Sequence, residues 1–238
     1  MKITAISPIM APEGCDYRAK YRLRDCADIP ADFEFTYIDG GPQFILNEYD
    51  DIHAAPLLVK KVLECENSGS DAVVINCSAD TGARACREAA KIPVIAPTEC
   101  TMLYACQLVD SFAVLTFAKR INSRFYRIAE GLGLRNRVSA VESVEMEFSS
   151  LSNGSEAVVN ALYETIVDIR KRTDTDGYIL GCTDFEDVAP ELKGKLADNG
   201  VQAVLLKPFE IAAYQAYITA AMKLDHGRSS YPAPPKYY

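Results

Sequence analysis

The chain has 238 residues, of which 49% are hydrophobic and 24% charged, and a formal net charge of -8, as in an ordinary globular protein. The acidic balance argues against nucleic acid or an anionic membrane as a partner, because both bind basic surfaces. No segment approaches the roughly 20 uninterrupted apolar residues of a membrane span, and the N-terminus lacks the apolar stretch and cleavage site of a signal peptide.

Apolar runs alternate with helical patterns along the chain, which predicts βα units and parallel sheets. The predicted strands are Lys2 to Ser7, Phe33 to Ile38, Asp71 to Asn76, Val94 to Ala96, Phe112 to Thr116, Arg137 to Val144, Tyr178 to Leu180 and Ala203 to Leu206. The predicted long helices are Asp50 to Asn67, Ser155 to Arg172 and Pro208 to Lys223.

Two of these helices have one apolar face. In the second helix, that face consists of Val158, Ala161, Leu162, Thr165, Ile166 and Ile169. The third helix carries Ile211, Tyr214, Ile218 and Met222 on one stripe. We expect this third helix to close the fold.

The two halves of the chain follow one plan, in which an opening strand, a second strand and a long helix precede a strand that ends at a cysteine. We therefore predict a duplicated α/β unit. Residues 1–100 with 208–225 form the first predicted lobe, and residues 101–207 form the second. Residues 226–238, which are rich in Pro and Tyr, form a predicted extended tail.

Cys77 and Cys182 each close a short apolar strand. The two segments are Asp71-Ala-Val-Val-Ile-Asn-Cys77-Ser-Ala-Asp-Thr-Gly82 and Asp176-Gly-Tyr-Ile-Leu-Gly-Cys182-Thr-Asp-Phe185. The residues after each cysteine are typical of a helix start. Ligands of open α/β sheets bind outside the carboxyl ends of strands, so both sulfurs are predicted to lie where chemistry occurs.

Two thiols that face each other across a cleft can remove a proton from one face of a carbon and return one to the other face, which racemises that carbon without a cofactor. Cysteine suits this task because its ordinary pKa of about 8.5 is close to working pH and falls at a helix N-terminus. Ser78, Thr116 and Thr183 are predicted to bind the substrate's carbonyl or carboxylate group, or else to bond their own backbone. Asp80 and Asp184 are predicted to cap helices or to tune the thiols.

The first cysteine segment has the pattern Asn76-Cys77-x-x-Asp80-x-Gly82-x-x-Ala85-x-Arg87-Glu88, followed by Ile92-Pro-Val-Ile-Ala96. This pattern resembles the first active-site segment of hydantoin racemases, which belong to the aspartate/glutamate racemase superfamily. Ile179-Leu-Gly-Cys182-Thr-Asp184 is similar to the second active-site segment. Phe112 to Thr116 with Arg120 is similar to the strand and loop that open the second lobe of these enzymes.

The resemblance implies an α/β fold of two pseudo-symmetric parallel-sheet lobes with the active site in the cleft between them. It implies a cofactor-independent racemase or epimerase in which Cys77 and Cys182 perform a 1,1-proton transfer beside a carbonyl. The implied substrate is a hydantoin, including allantoin, or an acidic amino acid. The candidate substrate-binding residues are Ser7, Pro8, Asn76, Ser78, Thr116, Thr183 and Asp184.

The sequence departs from the hydantoin racemase pattern at two places. Thr183 and Asp184 follow Cys182 as in the Gly-Cys-Thr-acidic form of aspartate racemases, where hydantoin racemases usually have Gly-Cys-Ala-Gly. Ser7-Pro8-Ile9 replaces the Asn-Pro-Asn that often follows the first strand. Two other functions remain open, namely decarboxylation or cis-trans isomerisation of a small dicarboxylate and non-catalytic binding of a small molecule.

The eight cysteines lie within strand and helix patterns, so we predict reduced thiols in a cytoplasmic protein. The chain has no C-x-x-C pair and only two histidines, which argues against a zinc site. A small-molecule substrate is the expected partner, and family analogy adds a homo-oligomer. The cysteines predicted to be structural are Cys15, Cys26, Cys65, Cys86, Cys100 and Cys106.

Overall fold

The computed structural model of the chain describes residues 1–11, 26–146 and 156–235. Cys15, Ser155 and residues 236–238 of the predicted tail lie outside these ranges. The strands are β1 Lys2–Met10, β2 Asp32–Ile38, β3 Ala72–Ile75, β4 Val94–Ile95, β5 Phe112–Thr116, β6 Val138–Ser143, β7 Gly177–Leu180 and β8 Val204–Leu206. Each of the eight predicted strands is confirmed, with small differences at the ends.

Helices connect most of these strands. The α-helices are α1 Glu48–Asn67, α2 Ala83–Ala89, α3 Pro97–Ala105, α4 Asn122–Gly131, α5 Glu156–Arg172, α6 Ala189–Asp198 and α7 Pro208–Ala221. Short 3-10 helices cover Lys119–Ile121, Arg135–Arg137 and Thr183–Val188. None of the helices in the described ranges is both long enough and apolar enough to span a membrane.

The chain divides into two compact units with the same sheet topology. Unit 1 comprises Met1–Pro97 and Phe209–Tyr238, and unit 2 comprises Thr98–Pro208. Their four-stranded sheets have the orders β2-β1-β3-β4 and β6-β5-β7-β8, and every pairing is parallel. The predicted α/β class with two parallel sheets is confirmed.

Buried apolar strands form the centre of each unit. All four residues of β3 and all four of β7 are buried, as expected for strands covered on both faces. In unit 1, Leu58 and Val62 of α1 belong to the same apolar cluster as Val73 and Ile75 of β3. These cores fix the positions of the strand ends that carry the two cysteines.

The predicted apolar face of α5 is confirmed at most of its positions. Its buried residues are Val158, Val159, Leu162, Ile166 and Ile169. Ala161 and Thr165 lie at the edge of this face and are half-buried.

The predicted apolar stripe of α7 is largely exposed to solvent, and the helix packs through its other side. Tyr214, Ile218 and Met222 are 40%, 47% and 63% exposed. The buried side consists of Phe209, Ala212, Ala213 and Ala216. Alanine is often buried in proteins although its side chain is small, and three alanines here form the buried face. A search for large apolar residues therefore selects the opposite side of this helix.

The segment after α7 returns to β4 and to the end of α2. The Val94 N–H donates to Nε2 of His226 at 2.8 Å. The Arg228 guanidinium donates to the carbonyl oxygen of Ala90 at 2.5 Å and to that of Glu88 at 3.3 Å. Because the last carbonyls of a helix have no partner within it, Arg228 supplies donors at the end of α2.

Candidate active site

The two cysteines occupy equivalent positions in their units. Cys77 lies two residues beyond the end of β3, and Cys182 lies two residues beyond the end of β7. Each of these strands pairs in parallel with the opening strand of its unit. In each unit, the carboxyl end of the strand that leads to the cysteine therefore lies next to the carboxyl end of the opening strand. Ligands of parallel sheets bind at this end of the strands.

Backbone hydrogen bonds repeat this equivalence. In unit 1, the N–H of Asn76 donates to the carbonyl oxygen of Ile6 at 2.8 Å. In unit 2, the N–H of Gly181 donates to the carbonyl oxygen of Leu115 at 2.7 Å. Each bond joins the residue before the cysteine to the opening strand. Ser7 and Thr116, which follow the two acceptors, therefore lie beside Cys77 and Cys182 at their respective sheet edges.

Ser7 and Pro8 are buried near the end of β1. The pairing of β1 with β2 is regular up to Ser7 and then shifts before Met10. Proline has no N–H for a strand ladder and is tolerated at such an irregularity. The local sequence thus places Ser7 at the last regular position of the strand.

A buried polar turn surrounds Cys77, whose side chain is itself half-buried. Asn76, Ser78 and Asp80 are all buried. The side-chain oxygen of Asn76 is buried and accepts no hydrogen bond from any residue in the described ranges. Buried acceptors are rarely left without a donor, so this oxygen is a candidate ligand contact.

The predicted helix start at Cys77 is wrong, because α2 begins only at Ala83. Residues 78–82 form a turn in which Asp80 and Gly82 have the positive φ angles 53° and 57°. Gly82 occupies the N-cap position of α2, so Asp80 is not the N-cap residue of this helix. A Cβ at Gly82 would lie 3.0 Å from the Cβ of Ala55 on α1, which shows how closely the turn approaches that helix.

The thiol of Cys77 accepts a hydrogen bond that the sequence analysis did not predict. The Thr81 hydroxyl donates to Sγ of Cys77 at 3.7 Å, and Thr81 is fully buried. The two residues are four positions apart, but a turn and not a helix brings them together. The local sequence does not predict this contact, because the contact depends on the left-handed backbone conformation of Asp80.

Cys182 does lie at the start of a helical segment. It is the N-cap of the 3-10 helix Thr183–Val188, and its side chain makes no capping bond. Thr183 is buried, and Asp184 is in the first turn of this helix, where a carboxylate is electrostatically favoured. The predicted helix start is confirmed here, while the N-cap position belongs to Cys182 and not to Asp184.

Thr116 has internal hydrogen-bond partners. Its hydroxyl donates to Oδ1 of Asn122 at the start of α4, and the Glu142 carbonyl oxygen is a second acceptor at 3.3 Å. The Asn122 side-chain amide donates to the Val141 carbonyl oxygen at 3.1 Å. These contacts give Thr116 internal partners in α4 and β6 and not in its own backbone, which was the predicted alternative to substrate binding. Asn122 was not predicted as part of this arrangement.

Two of the other described cysteines lie in environments that favour the neutral thiol. All seven cysteines of the described ranges carry thiols and not disulfides. Burial raises the pKa of the Cys86 thiol to about 12 and also raises the pKa of Cys65. Both shifts favour the unreactive thiol form, which suits the predicted structural role. No cluster of three or more metal-ligating side chains occurs among the residues described.

Comparison with known proteins assigns the chain to a family. The model of the Asp/Glu/Hydantoin racemase family matches residues 22–216, and the chain belongs to this family. The predicted family is therefore confirmed, and membership makes the chain an enzyme of the racemase class, an isomerase.

The relatives support the hydantoin racemase branch. A hydantoin racemase from Pseudomonas sp. (strain NS671) is 26% identical over 208 residues, which are 86% of this chain and 82% of that protein. The allantoin racemase from Klebsiella pneumoniae has a TM-score of 0.89 at 19% identity, with 99% of this chain and 94% of that chain covered. The allantoin racemase from Pseudomonas fluorescens has a TM-score of 0.85 at 17% identity, with 100% and 99% covered.

Proposed function

We propose that the protein is a cofactor-independent racemase that uses Cys77 and Cys182 as its acid and base. The observation that carries this proposal is the equivalence of the two half-buried thiols, each two residues beyond a central strand of its unit. A lone cysteine at a strand end is usually a small buried apolar residue. Two cysteines at matching positions of a duplicated topology support a shared chemical role.

The reaction is a 1,1-proton transfer at a carbon beside a carbonyl group. One cysteine, as thiolate, removes the proton, and the electron pair of the broken C–H bond delocalises into the carbonyl to give an enolate. The other cysteine, as thiol, donates its proton to the opposite face of the same carbon. The product has the inverted configuration, and each cysteine ends in the protonation state in which the other began.

Side chains next to the cysteines are the proposed binding groups. Ser78 and Thr183 directly follow the two cysteines in the sequence. Their hydroxyls are proposed to donate to the carbonyl oxygen on which the enolate charge develops. Ser7, Pro8 and Asp184 complete the proposed binding surface. For Thr116, the internal hydrogen bonds favour support of the site over direct contact with the substrate.

The proposed substrate is a hydantoin monosubstituted at its stereocentre, which includes allantoin. Support comes from the relatives, two allantoin racemases and one hydantoin racemase. A second support is the buried Oδ1 of Asn76, because an acceptor at this position suits a ring N–H beside the reacting carbon. Acidic amino acids are the alternative substrates, and the acidic residue that follows Cys182 and Thr183 motivates testing them.

The test is optical rotation together with solvent exchange in deuterium oxide, with allantoin, alkyl and aryl hydantoins, aspartate and glutamate as substrates. We expect loss of rotation and deuterium incorporation at the stereocentre. Cys77→Ser and Cys182→Ser should each abolish full inversion, and Cys106→Ser is the matched control. Cys106 is half-buried, and its thiol donates to the Met102 carbonyl oxygen. Normal turnover in either of the first two variants contradicts the two-cysteine mechanism.

We further propose a homo-oligomer and a reducing, cytoplasmic setting for the enzyme. The seven described thiols support the second proposal. Light scattering at several protein concentrations measures the molar mass, and a monomer at all of them contradicts the first. Disulfide formation by the enzyme isolated from its native cells under alkylating conditions contradicts the second.

A further inference from the structure

We propose that Thr81 is a positioning residue that stabilises the thiolate form of Cys77, the form in which this cysteine acts as a base. The inference deepens the proposed function and rests on it where it concerns catalysis. The contact itself is a hydrogen bond from the Thr81 hydroxyl to Sγ of Cys77 at 3.7 Å. Hydrogen bonds to sulfur are longer than those to oxygen.

The direction of this hydrogen bond determines which form of Cys77 it stabilises. A thiolate is a strong acceptor because it is charged, whereas a thiol sulfur is a weak one. A hydroxyl that donates to the sulfur therefore stabilises the charged form more than the neutral form. Thr81 is fully buried, so water does not compete for its hydroxyl.

The turn around Cys77 holds Thr81 in place. The N–H of Asp80 donates to the Cys77 carbonyl oxygen at 3.0 Å, which closes the turn. Asp80 and Gly82 on either side of Thr81 have left-handed backbones. Gly82 packs so closely against Ala55 of α1 that a side chain would not fit without movement. The hydroxyl is thus presented to the sulfur by a turn that α1 supports.

Burial alone has the opposite effect on a thiol in this unit. Desolvation raises the pKa of Cys86, in the helix that follows the turn, to about 12. A half-buried catalytic thiol therefore needs a compensating interaction if it is to ionise near neutral pH. Thr81 supplies a donor for that purpose.

The test measures the thiol directly and does not depend on knowing the substrate. Short iodoacetamide pulses between about pH 5 and pH 10, followed by peptide mass spectrometry, give the alkylation rate of each cysteine against pH. Thr81→Val removes the hydroxyl and keeps the shape, and Thr81→Ala removes it without β-branching. In both, we expect the midpoint for Cys77 to rise by about one pH unit and alkylation at neutral pH to slow about tenfold. Thr81→Ser should restore the original midpoint.

Two controls separate this effect from a general change in structure. Thr4→Val is the matched variant, because Thr4 is equally buried in unit 1 and its hydroxyl bonds to Ser70 and not to sulfur. Cys65, half-buried in the same unit, is the internal reference, and its midpoint should stay constant. An unchanged or lowered Cys77 midpoint in both Thr81→Val and Thr81→Ala overturns the inference.

Activity then links the thiol to the proposed reaction. Interconversion of two enantiomers has an equilibrium constant of unity, so kcat/KM must fall equally in both directions in Thr81→Val. The pH profile of kcat/KM should shift upward with the alkylation midpoint. If Cys77→Ser racemises normally, the proposed function fails while the alkylation result for Thr81 still stands, so the two failures are distinguishable.

Discussion

Gly181 lies directly against Leu115, and the backbone of this pair leaves no room for a side chain. The Gly181 N–H donates to the Leu115 carbonyl oxygen at 2.7 Å, and a Cβ at Gly181 would lie 2.8 Å from that same oxygen. The equivalent residue of unit 1 is Asn76, which makes the same backbone bond and carries a side chain. The glycine before Cys182 is thus a packing requirement of unit 2 alone.

Gly181→Ala should destabilise unit 2 and displace Cys182. The new methyl group meets a backbone oxygen and the Val114 side chain, each at 2.8 Å, so strand β7 must shift. Overpacking of this kind costs about 1–3 kcal/mol. Urea unfolding measures the loss. Gly194→Ala is the control, since nothing lies near its Cβ position in α6, and this variant should gain up to about 1 kcal/mol in helix propensity. Equal stability of the two variants would contradict the packing argument.

Thr116→Val should lower stability because it leaves the Asn122 side-chain oxygen without its donor. Asn122 is half-buried, so the expected cost is about 1 kcal/mol, at the low end of that for an unsatisfied buried acceptor. Thr116→Ser retains the hydroxyl and should lose less. Thr165→Val is a suitable control, because the Thr165 hydroxyl bonds to the Ala161 carbonyl oxygen of its own helix. If chemical denaturation gives the same midpoint for Thr116→Val and the parent, the hydrogen bond has no structural role.

Alkaline pH should destabilise the protein through Cys86. Burial raises the pKa of this thiol from 9.0 to about 12 in the folded protein. The resulting stability is fully present below pH 9, where both states bind the proton, and is lost as the pH rises towards 12. Its size is on the order of a few kcal/mol. The free energy of unfolding, measured between these pH values, should fall less steeply in Cys86→Ala than in the parent. Parallel curves would exclude Cys86 as the cause.

Mild acid should release the segment that follows α7. The Val94 N–H donates to Nε2 of His226, which can accept only while the imidazole is neutral. The protection factor of the Val94 amide, from hydrogen exchange, should therefore fall once the pH is low enough to protonate this imidazole.

His226→Ala should remove this protection at neutral pH as well. The chain has only two histidines, so His53→Ala is the natural control. His53 is exposed and contacts the carbonyl oxygen of Tyr49 in α1. Loss of Val94 protection in His53→Ala, or its persistence in His226→Ala, would contradict the assignment.

The strands and the two cysteine positions could be predicted because short apolar runs determine them locally. The turn after Cys77 could not be predicted, since the left-handed Asp80 and the approach of Gly82 to Ala55 depend on packing against a helix far away in sequence. The contact between Thr81 and the sulfur follows from that turn and was missed for the same reason. On α7, three alanines form the buried face, and the size of an apolar side chain is a poor guide to such a face.

The path of the chain between the units has a consequence for biosynthesis. Unit 1 begins at Met1 but recovers its last helix only after Pro208, so its sequence is split by the whole of unit 2. When a ribosome has released all of Thr98–Pro208, the second unit can fold while the first still lacks Phe209, Ala212 and Ala216. Unit 2 therefore has its complete sequence available for folding before unit 1 does, although Cys77 leaves the exit tunnel first.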